Sequence, residues 1–432
     1  MKWIILMMVF FQGVLVSSVV QNIEIDGVKV PVIYEKNSAL PIVSFQLVVK
    51  NAGSLYDGEF AGLAKFSANM LGEGTKTKGA ITFAQELEDR AISLHASAGT
   101  ETFTFDISSL KEDFDFAVGM LKELMHEPNF SEKSFDKIKQ LTLGNLSSKK
   151  SDFDYVANLN LKKEIFKDTP LGHAFGGEEE SIQKLELKNV KEFYENYIDL
   201  SNMLIVIGGD IEFDEVKSLV TELLSGFKQS QQRELKNYTV SSEAKDIVVQ
   251  RESEQAYIYF GAPYNISARD KDTYKSKVAG FILGESGFGS RLMEEIRVKK
   301  GLAYSAYSRM NINLSNSYFS GYLQTKNENL EEAKKIVKQE VEKFVKDGVT
   351  QAELDQAKRF LLGSEPLRNE TLSQRLSRAF HEYYRGYELG FSTKQLELIE
   401  KLTLSELNEF ISKHAEITKL TFSVVTNKSE TK

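Results

Sequence analysis

Several short runs alternate apolar and polar residues, the two-residue period of a strand with one buried face. Ser44-Phe-Gln-Leu-Val-Val49 and Thr102-Phe-Thr-Phe-Asp-Ile107 do so early in the chain. Ala256-Tyr-Ile-Tyr-Phe260 and Tyr318-Phe-Ser-Gly-Tyr-Leu323 do so late. Elsewhere the period lengthens to that of an amphipathic helix, as over 330–346. Strands followed by helices, twice over, predict an α+β chain of two similar domains, each a mostly antiparallel sheet with helices covering one face.

The two stretches repeat each other. Ser131-Glu-Lys-Ser-Phe-Asp-Lys-Ile-Lys139 matches Thr350-Gln-Ala-Glu-Leu-Asp-Gln-Ala-Lys358 at an offset of 219, and each opens on an N-capping hydroxyl. Residues 182–193 match 399–410 at an offset of 217. The apolar runs 203–207 and 420–424 follow at that same offset. A nearly constant spacing implies two copies of one supersecondary plan. The expected division is an N-terminal domain over 20–225, a polar linker over 226–246 and a C-terminal domain over 247–427.

Composition narrows the function classes. A chain of 432 residues is too long for one ordinary core. Its net charge of −8, with no basic block, argues against nucleic acid and anionic membrane as partners. The absence of Cys removes thiol catalysis, disulfides and Cys-ligated zinc. Lys2, the apolar run 3–16 broken only by Gln12 and Gly13, and small residues at Val16 and Ser18 read as a signal peptide over 1–18. An exported chain, periplasmic or secreted, follows, with no transmembrane segment once the leader is removed. An uncleaved anchor or a buried first strand is the other reading.

Motif chemistry is sparse. The five His are His95, His126, His173, His381 and His414, and no two lie within five positions. A helix cannot place two such rings on one metal. No nucleophile elbow, phosphate loop or dinucleotide fingerprint is present. Glu178–Glu180 suit the start of a helix expected near Ser181.

Asn51-Ala-Gly-Ser54 followed by Ala61-Gly-Leu-Ala-Lys-Phe-Ser-Ala-Asn-Met-Leu-Gly-Glu-Gly-Thr75 resembles the zinc-site region of the insulinase and processing-peptidase family. The family's helix carries H-x-x-E-H there, two zinc ligands and a general base. Lys65, Ala68 and Asn69 fall on those positions. The resemblance also implies a distal Glu ligand some seventy-odd residues on, yet 137–151 contains no Asp or Glu. An ammonium, a methyl group and an amide are poor substitutes for two imidazoles and a carboxylate. Zinc is therefore expected in a partner subunit and no cofactor in this chain.

Gly287-Phe-Gly-Ser-Arg-Leu-Met-Glu-Glu-Ile-Arg-Val-Lys-Lys-Gly-Leu-Ala-Tyr304 resembles the family's S-R-L…R-x-x-x-G-L-x-Y segment. Arg297 and Tyr304 occupy its Arg/Tyr pair, which in the family approaches the scissile carbonyl. The plain reading of the same residues is a solvated Arg and a packed Tyr. Gly287, Gly289 and Ser290, with Gly284, stand where the processing peptidases' non-catalytic subunit carries a glycine-rich substrate loop. A turn that only caps the helix is the alternative. A helix from about Ser290 and a left-handed stop at Gly301 are expected.

The resemblance implies two α+β domains forming half of a clamshell. It further implies a non-catalytic, substrate-binding subunit of a heterodimeric zinc peptidase. That subunit would act with a homologous zinc-binding chain on an extended peptide. A structural protein of the same fold without a part in proteolysis is the other function class.

Overall fold

The computed structural model describes residues 18–427; the leader expected over 1–18 lies outside them except for Ser18. Six strands form the first sheet: β1 (Val19–Ile25), β2 (Val28–Lys36), β3 (Ile42–Lys50), β4 (Ser93–Ala98), β5 (Thr102–Leu110) and β6 (Met203–Gly209). Five form the second: β7 (Asp246–Gln250), β8 (Gln255–Pro263), β9 (Ala303–Ile312), β10 (Ser317–Lys326) and β11 (Thr421–Thr426). The orders are β1-β2-β6-β3-β5-β4 and β7-β11-β8-β10-β9. Without β1 the two orders are the same. Each sheet has a single parallel pair, β2 with β6 and β7 with β11, and is otherwise antiparallel. The α+β architecture is the one expected, and the repeat in sequence is a repeat in topology.

Local chemistry sets the helix ends. The Ser131 hydroxyl accepts from the Ser134 amide to start the helix Glu132–Lys149. Thr350 and Glu353 form a reciprocal capping box at the start of the helix Gln351–Gly363. The matched segments near 182 and 399 each break into two helices at one place. Capping boxes at Glu186 and Thr403 start the second member. The helix expected from about Ser181 begins at Glu179 instead, because Glu178 is the cap and the Ser181 hydroxyl accepts its amide.

Each sheet buries one face under its own half's helices. In the first half Phe45, Phe103 and Phe105 meet Phe66, Phe114 and Leu121. In the second the rings of Phe260, Phe319 and Phe422 pack under Val337, Val341 and Phe344.

The opposite faces were expected to meet water, and part of each does not, although Ser93, His95 and Ser108 on the β4–β5 side of the first sheet stay exposed. The helix Phe153–Ile165 of the first half lies on the outer face of the second sheet, with Leu161 and Ile165 against Tyr259 and Tyr318. Its Asp154 accepts from the Tyr259 hydroxyl (3.3 Å) and from Gln324 Nε2 (2.6 Å). The helix Leu372–Tyr384 of the second half lies on the first sheet, with Leu376 and Ala379 against Ile33, Val48, Leu204 and Val206. Its Arg375 Nε donates to buried Glu35 at 2.7 Å. Phe153 and Leu372 are 219 apart, the offset of the repeat, so the halves exchange equivalent helices. The linker is held as well: Arg233 donates to Asp199 (2.5 Å) and to the Tyr197 and Asn51 carbonyls (2.8 and 2.9 Å).

A further ion pair, Arg291 with Glu353, fixes the C-terminal half. Arg291 grips Glu353 with two bonds, at 2.6 and 2.9 Å, and donates to the Gly348 carbonyl at 2.8 Å. Burial pushes the Glu353 carboxyl up, but Arg291 and the Thr350 amide outweigh it and hold it at about 2.

Arg375→Ala strands the buried Glu35 carboxylate and is expected to cost about 3 kcal/mol. Denaturant titration checks the loss. Hydrogen exchange should quicken in β2 and β6 of the opposite half, not only in the mutated helix. Glu353 has a depressed pKa, so its contribution is full above the ordinary 4.5 and fades as pH falls toward 2. Glu353→Gln is expected to flatten that limb of an acid-unfolding curve, and an unchanged limb excludes the linkage.

Candidate functional site

The helix matched to the family's metal site runs Leu63–Leu71. Its start is well built. Buried Asp57 accepts from the Gly62 and Ala64 amides, both at 2.7 Å, which satisfies donors that a helix start leaves bare. Burial pushes the Asp57 carboxyl up to about 7 against the lowering effect of those bonds. An Asp five residues before a glycine start was the signal for this cap, and the sequence reading did not use it.

Lys65 is half-buried, Ala68 buried and Asn69 exposed on that helix. The neighbouring helix Glu132–Lys149 packs on it through Phe135 against Phe66, at 5.3 Å between ring centres. The stretch 137–151 begins at Lys137 on that helix, whose ammonium is 2.7 Å from Glu73. Ammonium, methyl and amide groups here do not fit zinc. Among the described residues no cluster of three or more His, Asp or Glu could hold a metal ion. His95 and His381, remote in sequence, line one cavity of about 440 Å³.

Arg297 and Tyr304 come together in the other half. Buried Ser290 caps the helix that carries Arg297. Its hydroxyl accepts from the Met293 amide and donates to the Gly287 carbonyl at 2.7 Å. The helix is α only over Arg291–Met293 and turns π over Glu294–Lys299. Such wide turns concentrate at functional sites, and the three-to-four-residue periodicity gave no hint of one. Gly301, at φ +63°, stops it: its amide reaches the Arg297 carbonyl at 3.0 Å and Leu302 reaches back to Ile296 at 2.9 Å.

Tyr304 stands on β9, the edge strand. Leu323 of β10 faces Ala306 while Thr325 faces Ala303, so Tyr304 and Ser305 together oppose Gln324. This is a β-bulge, a device that re-aims a side chain. It leaves Tyr304 82% exposed. The Arg297 guanidinium carbon lies 4.3 Å from the Tyr304 ring centre and 4.5 Å from that of Phe288. Among the described residues neither the guanidinium nor the Tyr304 hydroxyl has an ion-pair or hydrogen-bond partner, so both keep donors for a ligand.

The glycines have separate roles. Gly284 is buried in the turn Phe281–Glu285, where a Cβ would lie 2.1 Å from Ser308 Oγ. It is packed against a strand and is not part of a pliable loop. Gly287 and Gly289 flank Phe288 in a turn closed by the Ser290 amide on the Gly287 carbonyl at 3.0 Å. The φ of +91° at Gly289 fits the third residue of a type II turn. An open cavity of about 1080 Å³ between the halves, lined by Lys50, Arg233, Tyr238 and Tyr384, does not include Arg297 or Tyr304.

The sequence model described as insulinase (peptidase family M16) matches residues 31–179, and the one described as peptidase M16 inactive domain matches residues 184–361. The chain is 44% identical to a protein of Helicobacter pylori described as "Non-peptidase homolog YmxG", across 99% of each. Its structure is similar to that of a peptidase M16 inactive domain from Pseudomonas fluorescens, with a TM-score of 0.87 at 24% identity over 96% of this chain and 99% of that one. A protease from Helicobacter pylori shares the fold at a TM-score of 0.81 and 19% identity, over 95% of this chain and 100% of that one. With both halves matched and the paired fold in place, the chain belongs to the insulinase family, peptidase family M16.

Proposed function

We propose that this chain is the non-catalytic, substrate-binding subunit of an exported two-chain zinc peptidase. The single observation that carries the reading is a division of parts. Lys65, Ala68 and Asn69 cannot hold the metal, whereas half-buried Arg297 and exposed Tyr304 stand together, with no ion-pair or hydrogen-bond partner among the described residues. The relative described as a non-peptidase homolog supports the first half of that division.

A homologous partner would bring the zinc and its general base. This chain's residues would do the rest. Arg offers a fixed fork of donors that suits a peptide carbonyl. A Tyr hydroxyl can donate to the oxygen on which negative charge develops as the amide is attacked. An extended peptide, paired to a sheet edge of the partner, would present its carbonyl to both groups. Lys2 and the apolar run after it support export.

Mixing the chain with a homologous zinc-binding subunit from the same organism should give cleavage of fluorogenic peptides that neither chain gives alone. Tyr304→Phe is expected to lower kcat on the order of 10²-fold with little change in KM, and Arg297→Ala to lower kcat/KM by as much. Unchanged activity in both variants removes the catalytic role. Purification as a lone homodimer or within a large membrane assembly, with no zinc-bearing homologue, favours the structural class instead. Stoichiometric zinc in the isolated chain, with chelator-sensitive cleavage, overturns the division of parts.

A further inference from the structure

We propose that Phe288 is the third member of the peptide-binding shelf. It is a positioning residue for Arg297 and, with its open face, the subsite for a large apolar or aromatic side chain of the peptide. This rests on the reading of Arg297 and Tyr304 as the carbonyl-binding pair.

The geometry carries the first role. A guanidinium is flat and all its N–H groups lie in its plane. The ring centres of Phe288 and Tyr304 lie 4.5 and 4.3 Å from its carbon, and among the described residues no carboxylate pairs with it. Ring contacts of this kind attract a cation and shed water from its faces. The open edge is what remains for a ligand, and edge-on donation is what a peptide carbonyl accepts. Without Phe288 only one ring would hold the plane.

The turn carries the second role. Phe288 is 65% exposed, more than any other Phe among the described residues. It is not there through slackness. The Gly287 carbonyl accepts from both the amide and the hydroxyl of buried Ser290. A Cβ on Gly289 would fall 2.6 Å from Gln356 Nε2, and its φ of +91° suits glycine. The backbone on either side of Phe288 is therefore fixed, and the ring is presented beside the carbonyl-binding edge. A preorganised aromatic ring next to fixed donors selects for an apolar neighbour of the bound carbonyl.

The test uses the reconstituted two-chain complex and a peptide series that differs only at one residue flanking the scissile bond: Phe, Leu, Ala or Asp. Phe288→Ala is expected to lower kcat roughly two- to fivefold for every peptide, the worth of one ring on the guanidinium. It should also raise KM roughly three- to tenfold for the Phe and Leu peptides and leave the Ala peptide's KM unchanged. Phe288→Tyr should restore both quantities. The ring is exposed, so an unchanged melting temperature certifies the fold of each variant. If Arg297→Ala lowers kcat/KM as expected but Phe288→Ala leaves the Phe-to-Ala preference intact, the subsite is wrong and the carbonyl-binding pair stands. If Arg297→Ala has no effect, the pair itself is wrong and the role of Phe288 falls with it.

Discussion

The rest of the structure depends on the reciprocal exchange of one helix between the halves. Each sheet has an apolar patch on its second face that its own half leaves bare. The helix Leu372–Tyr384 covers one and the helix Phe153–Ile165 covers the other. The consequence is visible in β6 and β11, every residue of which is buried. A strand in water on one face would alternate; these two cannot. Glu35 makes the dependence sharper, because its buried carboxylate is matched by Arg375 from the other half. Neither half is therefore a self-sufficient domain in the energetic sense.

That exchange also reaches the candidate site. Gln324 stands opposite the bulge that turns Tyr304 outward, and its amide donates to Asp154 of the crossing helix. The first half thus braces the strand pair whose irregularity aims a residue of the second. On the other side of the site, Arg291 bridges to Glu353 and the Gly348 carbonyl just before the π turn that carries Arg297. A helix only three residues long before it widens needs such an anchor. Arg291 belongs to the family's motif, and its bonds tie the start of this helix to Glu353 and the Gly348 turn.

Much of the candidate site was legible because motif residues are local. Ser290, Arg297, Gly301 and Tyr304 lie within one short helix, a stop and the start of a strand. Their spacing alone limits how they can be placed. Phe288 was in view and unused, since an apolar residue between glycines carries no chemistry until its ring is seen beside a guanidinium. Asp57 was missed because a cap supplied from five residues upstream does not follow the usual offset. The π turn and the bulge were invisible for a different reason. Each inserts one residue into a regular period, and a pattern of apolar positions averages over such insertions.

By itself the sequence determined the α+β class, the two-fold repeat, the positions of β3, β5, β8 and β10 and the unsuitability of Lys65, Ala68 and Asn69 for a metal. These follow from period, spacing and side-chain chemistry, which are properties of neighbours along the chain. Tertiary structure decided which half's helix covers which sheet, that Arg297 lies over two rings, and that Tyr304 projects from a bulge. Those depend on distances between residues far apart in sequence, and on apolar surface that can be buried only when the whole chain has folded.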